Sequence, residues 1–294
     1  MNSTSAHGRI SEGYKSDPGK PTIPVPANAC DCHAHIIGPA EQYPFSAERS
    51  YTPREAHRDA YQRMLSALGL QRAVIIQPSF YGPDNRCTYD AVVESRGKWH
   101  AVAVLNVDTP RQEVQRLHDA GFRGVRLNLI YKGGVSLDTL EPLAKLVAPF
   151  NWHLEILVDG RNLVDLAPRL RRLPVAFEID HIGRVPAHLG VQNPGFQTLL
   201  ALLGEGNCWA KLSGAYLTSG GSFPFDDVAP MAQALAKAAP ERLVWGSDWP
   251  HQSCKTEVPF DAGLLDLLAT WVPDGKLRKQ ILVDNPAKLY DFAN

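Results

Sequence analysis

Short apolar runs and amphipathic stretches alternate strictly along this chain from Ala29 to its C-terminal region. Runs such as Ala73-Val74-Ile75-Ile76-Gln77 are apolar without a polar face. That pattern suits strands buried on both sides, as in parallel sheets. Strands are predicted in the run from Ala29 to Ile37 and at Ala73 to Gln77, His100 to Asn106, Gly124 to Leu129, His153 to Val158, Val175 to Ile179, Cys208 to Leu212 and Leu243 to Trp245. Helical stretches follow each of them: Arg54 to Leu68, Asp84 to Arg96, Pro110 to Ala120, Leu137 to Phe150, Asn162 to Leu173, Phe196 to Leu203, Val228 to Ala239, and a closing set at Ala262 to Trp271, Gly275 to Leu282 and Pro286 to Phe292. Eight strand–helix repeats predict an α/β protein of the (β/α)8 TIM-barrel class. An open doubly wound sheet would carry a Gly-rich phosphate turn after its first strand, and neither GxGxxG nor GxxxxGK[ST] stands there.

Residues 1–28 differ from the rest. They are rich in Ser, Gly, Pro and Lys and show no apolar periodicity, so they read as a mobile arm or a surface-draped tail. They lack the apolar core of a secretory signal. Residues 29–294 are expected to form one barrel domain. Lys plus Arg number 30 and Asp plus Glu 31, which speaks against a nucleic-acid-binding surface. No apolar run reaches the roughly 20 residues needed to span a bilayer. The five cysteines, Cys30, Cys32, Cys87, Cys208 and Cys254, form no CxxC pair, which favours free thiols and a cytoplasmic setting. Either a monomer or an oligomer is compatible with this composition.

Barrel active sites lie at the C-terminal ends of the strands. Polar residues at those ends are therefore the candidates. His33 and His35, two apart on strand one, share a face because strand side chains alternate; Cys32 between them is expected to point the other way. Strand two supplies Gln77 and Ser79, strand four Arg126, Asn128 and then Lys132. Strand six supplies Asp180, His181 and Arg184, strand seven Lys211, Ser213 and Tyr216, and strand eight Ser247, Asp248 and His251. Each has an ordinary explanation when taken alone. His181 can end a strand, Asp248 can cap a turn, the arginines can cover apolar surface, and Lys211 can point out among the helices. Mid-strand Glu155 is a partner to the site or a contributor to it, and the sequence leaves both open. Convergence at one mouth is what the barrel adds.

The His33-Ala34-His35 triplet, the run Asp180-His181-Ile182-Gly183-Arg184 and the run Trp245-Gly246-Ser247-Asp248-Trp249-Pro250-His251 together resemble the amidohydrolase superfamily, in the branch of 2-pyrone-4,6-dicarboxylate lactonase, 4-sulfomuconolactone hydrolase and sugar-acid lactone enzymes. The resemblance runs from about Ala29 to Phe292. It implies that Asp248 is a general base toward water, that His33, His35 and His181 surround a lactone carbonyl, and that Tyr51, Ser79, Arg126, Arg184 and His251 contact substrate. Lys132 keeps a cation where the pyrone enzyme has an arginine. Leu157 stands in place of a tyrosine, and Tyr216, a further substrate-contact candidate, in place of an arginine. Loss of a bidentate anion clamp is not conservative. The expected substrate is thus a small anionic lactone, within aromatic-compound catabolism.

Two ways of polarising the carbonyl follow. One divalent ion, zinc by the chemistry of the donors, would sit on His33, His35, His181 and Asp248. Alternatively, no metal binds and the imidazoles donate to the developing oxyanion. Decarboxylation is the rival reaction, disfavoured by the lack of a histidine at the C-terminal end of strand five. Lactone isomerisation or a non-catalytic relative is a third possibility, and the intact histidine pair argues against a dead site.

Overall fold

A computed structural model describes residues 13–131, 136–255 and 257–293. Eight strands, β1 (Cys30–Ala34), β2 (Arg72–Ile76), β3 (Trp99–Ala103), β4 (Phe122–Asn128), β5 (His153–Leu157), β6 (Phe177–Ile179), β7 (Cys208–Leu212) and β8 (Leu243–Trp245), lie side by side in chain order. Every neighbouring pair is parallel. The helices between them are α1 (Arg58–Leu68), α2 (Arg86–Glu94), α3 (Arg111–Ala120), α4 (Leu140–Val147), α5 (Leu163–Leu170), α6 (Pro194–Gly204), α7 (Ala215–Thr218) and α8 (Ala229–Ala238). Three more, α9 (Asp261–Trp271), α10 (Gly275–Lys279) and α11 (Asn285–Tyr290), follow β8. The (β/α)8 barrel expected from the alternation is the fold observed. Both Gly69 and Gly121 end their helices with positive φ, as their places in the sequence suggest.

The barrel closes where β8 meets β1. His35 N–H donates to the Trp249 carbonyl at 2.8 Å, and Asp248 N–H to the His33 carbonyl at 2.8 Å. Asp31 bolts this seam: it accepts from Ser247 N at 2.8 Å, Ser247 Oγ at 2.5 Å and, on the helical side, Tyr61 Oη at 3.0 Å.

Inside the barrel the lower end is apolar, filled by Cys30, Cys32, Val74, Ile76, Val102, Trp209 and Val244 and plugged by Tyr290 and Phe292. Cys32 therefore faces inward, contrary to the simple alternation. A register shift in β1 between Asp31 and Ala34 lets His33 turn inward as well. Above the apolar floor lies a charged layer. Lys211 Nζ stands 2.7 Å from Glu155, 3.1 Å from Glu178 and 3.3 Å from Asp180, all fully buried. An outward-pointing Lys211 is thus corrected: three interior acidic side chains surround the ammonium inside the barrel, and Glu155 is part of the layer beneath the site.

Residues 13–28 are laid along the barrel. Tyr14 packs against Trp249 with ring centroids 4.7 Å apart, Lys15 pairs with Glu257 at 2.9 Å, and Thr22 and Ile23 donate backbone N–H groups to Asp266. No helix among the described residues is long and apolar enough to cross a membrane.

Candidate active site

The polar mouth of the barrel is a small cleft lined by His35, Tyr51, Ser79, Arg126, Asn128, Tyr131, Leu157, His181, Arg184, Leu217 and Asp248, among others. Its chemistry sits on the β1–β8 seam. His33 and His35 leave β1 with rings 5.0 Å apart, edge to face. Asp248 leaves β8, and its Oδ1 lies 3.6 Å from His33 Nε2 and 3.9 Å from His35 Nε2. The turn carrying Asp248 is locally fixed by Ser247, whose Oγ accepts from Trp249 N at 3.0 Å. Asp248 and His251 both adopt positive φ, as do His181 and Arg184. Backbone of that kind, unfavourable for side-chain-bearing residues, is held only where surrounding structure imposes it, often at functional sites.

The partner of His35 assigns its tautomer. His35 Nδ1 lies 2.7 Å from the Ile76 carbonyl, which can only accept, so Nδ1 carries the proton and Nε2 a lone pair. Burial pushes the His35 pKa down to about 3, keeping the ring neutral. Lys211 Nζ donates to Glu155 Oε2 at 2.7 Å and lies 3.1 Å from Glu178 and 3.3 Å from Asp180. His33 Nδ1 stands between that ammonium, 3.1 Å away, and Asp180 Oδ1, 3.4 Å away. Among the described residues the buried His33 Nε2 has no hydrogen-bond partner. The His35 Nε2 lone pair, His33 Nε2 and a carboxylate oxygen of Asp248 thus converge, an arrangement that a cation would join. The ligand atoms of His33, His35 and Asp248 lie within 4.8 Å of one another, so these residues fit a divalent ion. His181 groups instead with His33 and Asp180, its Nδ1 held by Ser213 Oγ at 2.8 Å.

Burial raises the Asp248 carboxyl to about 6, against the lowering effect of the Tyr216 hydroxyl, which donates to Oδ2 at 2.5 Å. Burial also opposes ionisation of Asp180, yet the Lys211 ammonium and His33 hold it well below the usual carboxylate range. Arg126 bonds Asp180 through Nη2 at 3.1 Å and approaches Glu155 at 3.4 Å. Among the described residues the buried Arg184 Nη1 has no hydrogen-bond partner.

Among the residues expected to touch substrate, Tyr51, Ser79, Arg126 and Arg184 line the cleft. Tyr216 and His251 do not: Tyr216 turns its hydroxyl to Asp248, and His251, fully buried, stands behind it. Lys132 lies outside the described residues. Gln77 serves the loop after β2, donating to the Gly82 and Asp84 carbonyls. Sequence reasoning passed over Tyr131 and Leu217, which follow strand ends by only a few residues, and Asp261, which carries no motif; Asp31 stands at the head of the His33-Ala34-His35 stretch but was given no role.

The amidohydrolase family model matches residues 30–292. The chain is 35% identical over 288 residues to a 2-pyrone-4,6-dicarboxylate hydrolase of Comamonas testosteroni, covering 94% of each chain. It is 35% identical over 271 residues to a 4-sulfomuconolactone hydrolase of Hydrogenophaga intermedia, covering 90% of this chain and 89% of that one. A solved structure of a putative 2-pyrone-4,6-dicarboxylic acid hydrolase from Pseudomonas putida superposes with a TM-score of 0.80 at 33% identity, over 92% of this chain and all of the other. With the barrel, its seam and the matched length in agreement, the chain belongs to the amidohydrolase family.

Proposed function

We propose that this protein is a hydrolase of small anionic lactones. The observation that carries the reading is the Asp248 carboxylate, set between two imidazole nitrogens at the mouth of a cleft whose other walls present Arg126, Arg184, Ser79 and Tyr51. The two hydrolase relatives act, by name, on lactones that bear acid groups, which supports the same substrate class here.

In this reading Arg126 and Arg184 hold the carboxylate or sulfonate of the substrate by charge-assisted hydrogen bonds. Arg126 is already engaged by Asp180, so it is rigid; the unpartnered Nη1 of Arg184 is the freer donor. Asp248 Oδ1 takes a proton from water as the water oxygen bonds to the lactone carbonyl carbon. The ring C–O bond then breaks, and Asp248 returns the proton to the departing ring oxygen. The product is the open-chain hydroxy acid or its keto tautomer. Between His33, His35 and Asp248 the donor set suits zinc, and the chemistry an ion there supplies is a polarising charge and a bound water with pKa near 7. The metal-free alternative needs Nε2–H donors, and the His35 tautomer works against it.

The test is a lactone panel followed by pH-stat and mass spectrometry: 2-pyrone-4,6-dicarboxylate, 4-sulfomuconolactone and a galactarolactone, with and without prior chelation. Addition of one water to any of them is the expected result. Product of unchanged mass would indicate isomerisation, CO2 release would indicate decarboxylation, and folded protein inert toward all three would overturn the reading for these substrates.

A further inference from the structure

We infer that Asp261 is a positioning residue for Asp248, acting through His251 and Tyr216; the proposal rests on the lactone-hydrolase reading for its choice of base and substrate. Three polar contacts connect the four side chains. Asp261 Oδ1 accepts from His251 Nε2 at 3.0 Å, the His251 Nδ1 lies 3.2 Å from the Tyr216 hydroxyl, and that hydroxyl donates to Asp248 Oδ2 at 2.5 Å. The members come from three places in the barrel: α7, the turn after β8, and the first residue of α9.

All four are buried, and Asp261 and His251 have no exposed surface at all. A carboxylate held in the interior costs stability unless something is gained by it. Helix capping is not the gain, because Phe260 occupies the N-cap position of α9 and no side chain caps it. Substrate contact is not the gain either, since neither Asp261 nor His251 lines the cleft. The consequence lies at Asp248. With Oδ2 taken by Tyr216, only Oδ1 is turned toward His33 and His35. A carboxylate without that tether can rotate about its last bond and lose its aim at the water. The Tyr216 hydroxyl is itself kept in place by the His251 ring, and the ring by Asp261. Support of this kind, one or more contacts behind the reacting group, changes activity by about 10- to 100-fold in well-studied sites.

The experiment uses the full chain and the lactone that the panel shows to be opened. Asp261→Leu removes the acceptor at similar volume, while Asp261→Asn keeps an oxygen that can accept from His251. Asp261→Leu is expected to lower kcat by about tenfold or more, with KM within about twofold of wild type. Asp261→Asn is expected to restore most of the loss. In a Tyr216→Phe background, Asp261→Leu should cost nothing further, because the chain is already cut. Losses that multiply, or a rise in KM with kcat unchanged, overturn the proposal. Where Asp261→Leu does not fold, Asp261→Ala takes its place. Crystal structures of the unliganded variants give a reading independent of turnover. Asp248 rotated in Asp261→Leu and restored in Asp261→Asn is expected; Asp248 unmoved in Asp261→Leu overturns the inference. If the wild-type protein opens no lactone, the functional reading falls while these structures still decide the positioning.

Discussion

The two oxygens of Asp248 have different company, one tied to Tyr216 and one facing two imidazoles, and its pKa near 6 follows from burial tempered by that tie. As a base it must be ionised. Without added metal, kcat/KM should therefore be flat above about pH 6 and fall roughly tenfold per unit below it. A divalent cation at His33, His35 and Asp248 favours the carboxylate, so the limb should move to lower pH, and profiles taken with and without chelator read the difference. Asp248→Asn should reduce turnover by about 10²- to 10⁴-fold with an unchanged far-UV circular dichroism spectrum. A second prediction concerns the seam beside it. A Cβ on Gly246 would lie 2.6 Å from His33 Cβ and 2.8 Å from His33 N. Gly246→Ala should displace His33 and abolish activity well before it unfolds the barrel, as paired activity and melting measurements would reveal. At this scale His33, His35, His181 and Asp248 were legible in the sequence, because each stands at a strand end and the barrel gathers strand ends. The direction of Tyr216 and His251 was not, because they sit in turns after β7 and β8 where no periodicity sets the side chain.

Strands β4 to β7 together build the charged layer under the site. Burial, with Asp180 close by, pushes Glu155 up to about 8 from its ordinary 4.5, while Lys211 and Arg126 pull it back. With Glu155 carrying its proton, the cations Lys211 and Arg126 balance the anions Glu178 and Asp180. Lys211→Met would leave the acids without their central cation and should cost about 3–5 kcal/mol in urea unfolding, as breaking a buried ion pair does. The pH dependence has a defined sign. A group whose folded pKa is raised contributes stability that is full below its unfolded value and is lost as pH rises through the folded one. The Glu155 contribution should thus disappear between about pH 4.5 and 8, and Glu155→Gln should remove that slope from the melting temperature. The strands themselves were legible: β7 and β8 begin and end where the apolar runs do. The inward turn of Lys211 was not, because alternation leaves open which face is inside until the sheet closes.

Closure of the whole barrel brings β1 and β8, some 200 residues apart in the chain, into contact, and the described N-terminal stretch reinforces that join through Tyr14 on Trp249. A cation bound by donors from both strands should stabilise the fold by mass action, about 2.7 kcal/mol at a hundredfold excess over Kd. Zinc should therefore raise the melting temperature of the wild-type protein and not of Asp248→Asn, which calorimetry would measure; equal shifts would sink the three-donor assignment. The amino-acid sequence by itself determined the eightfold alternation, the helix stops at Gly69 and Gly121, and the strand-end histidines and aspartate, since all of these are local: they depend on side-chain period and backbone freedom over a few residues. Only the tertiary structure decided that Lys211 meets Glu155, Glu178 and Asp180, that Asp31 locks Ser247, and that Asp261 reaches Asp248 through His251 and Tyr216. Those contacts join residues from different strands and turns, and their geometry exists only once the sheet has curved round and met its own first strand.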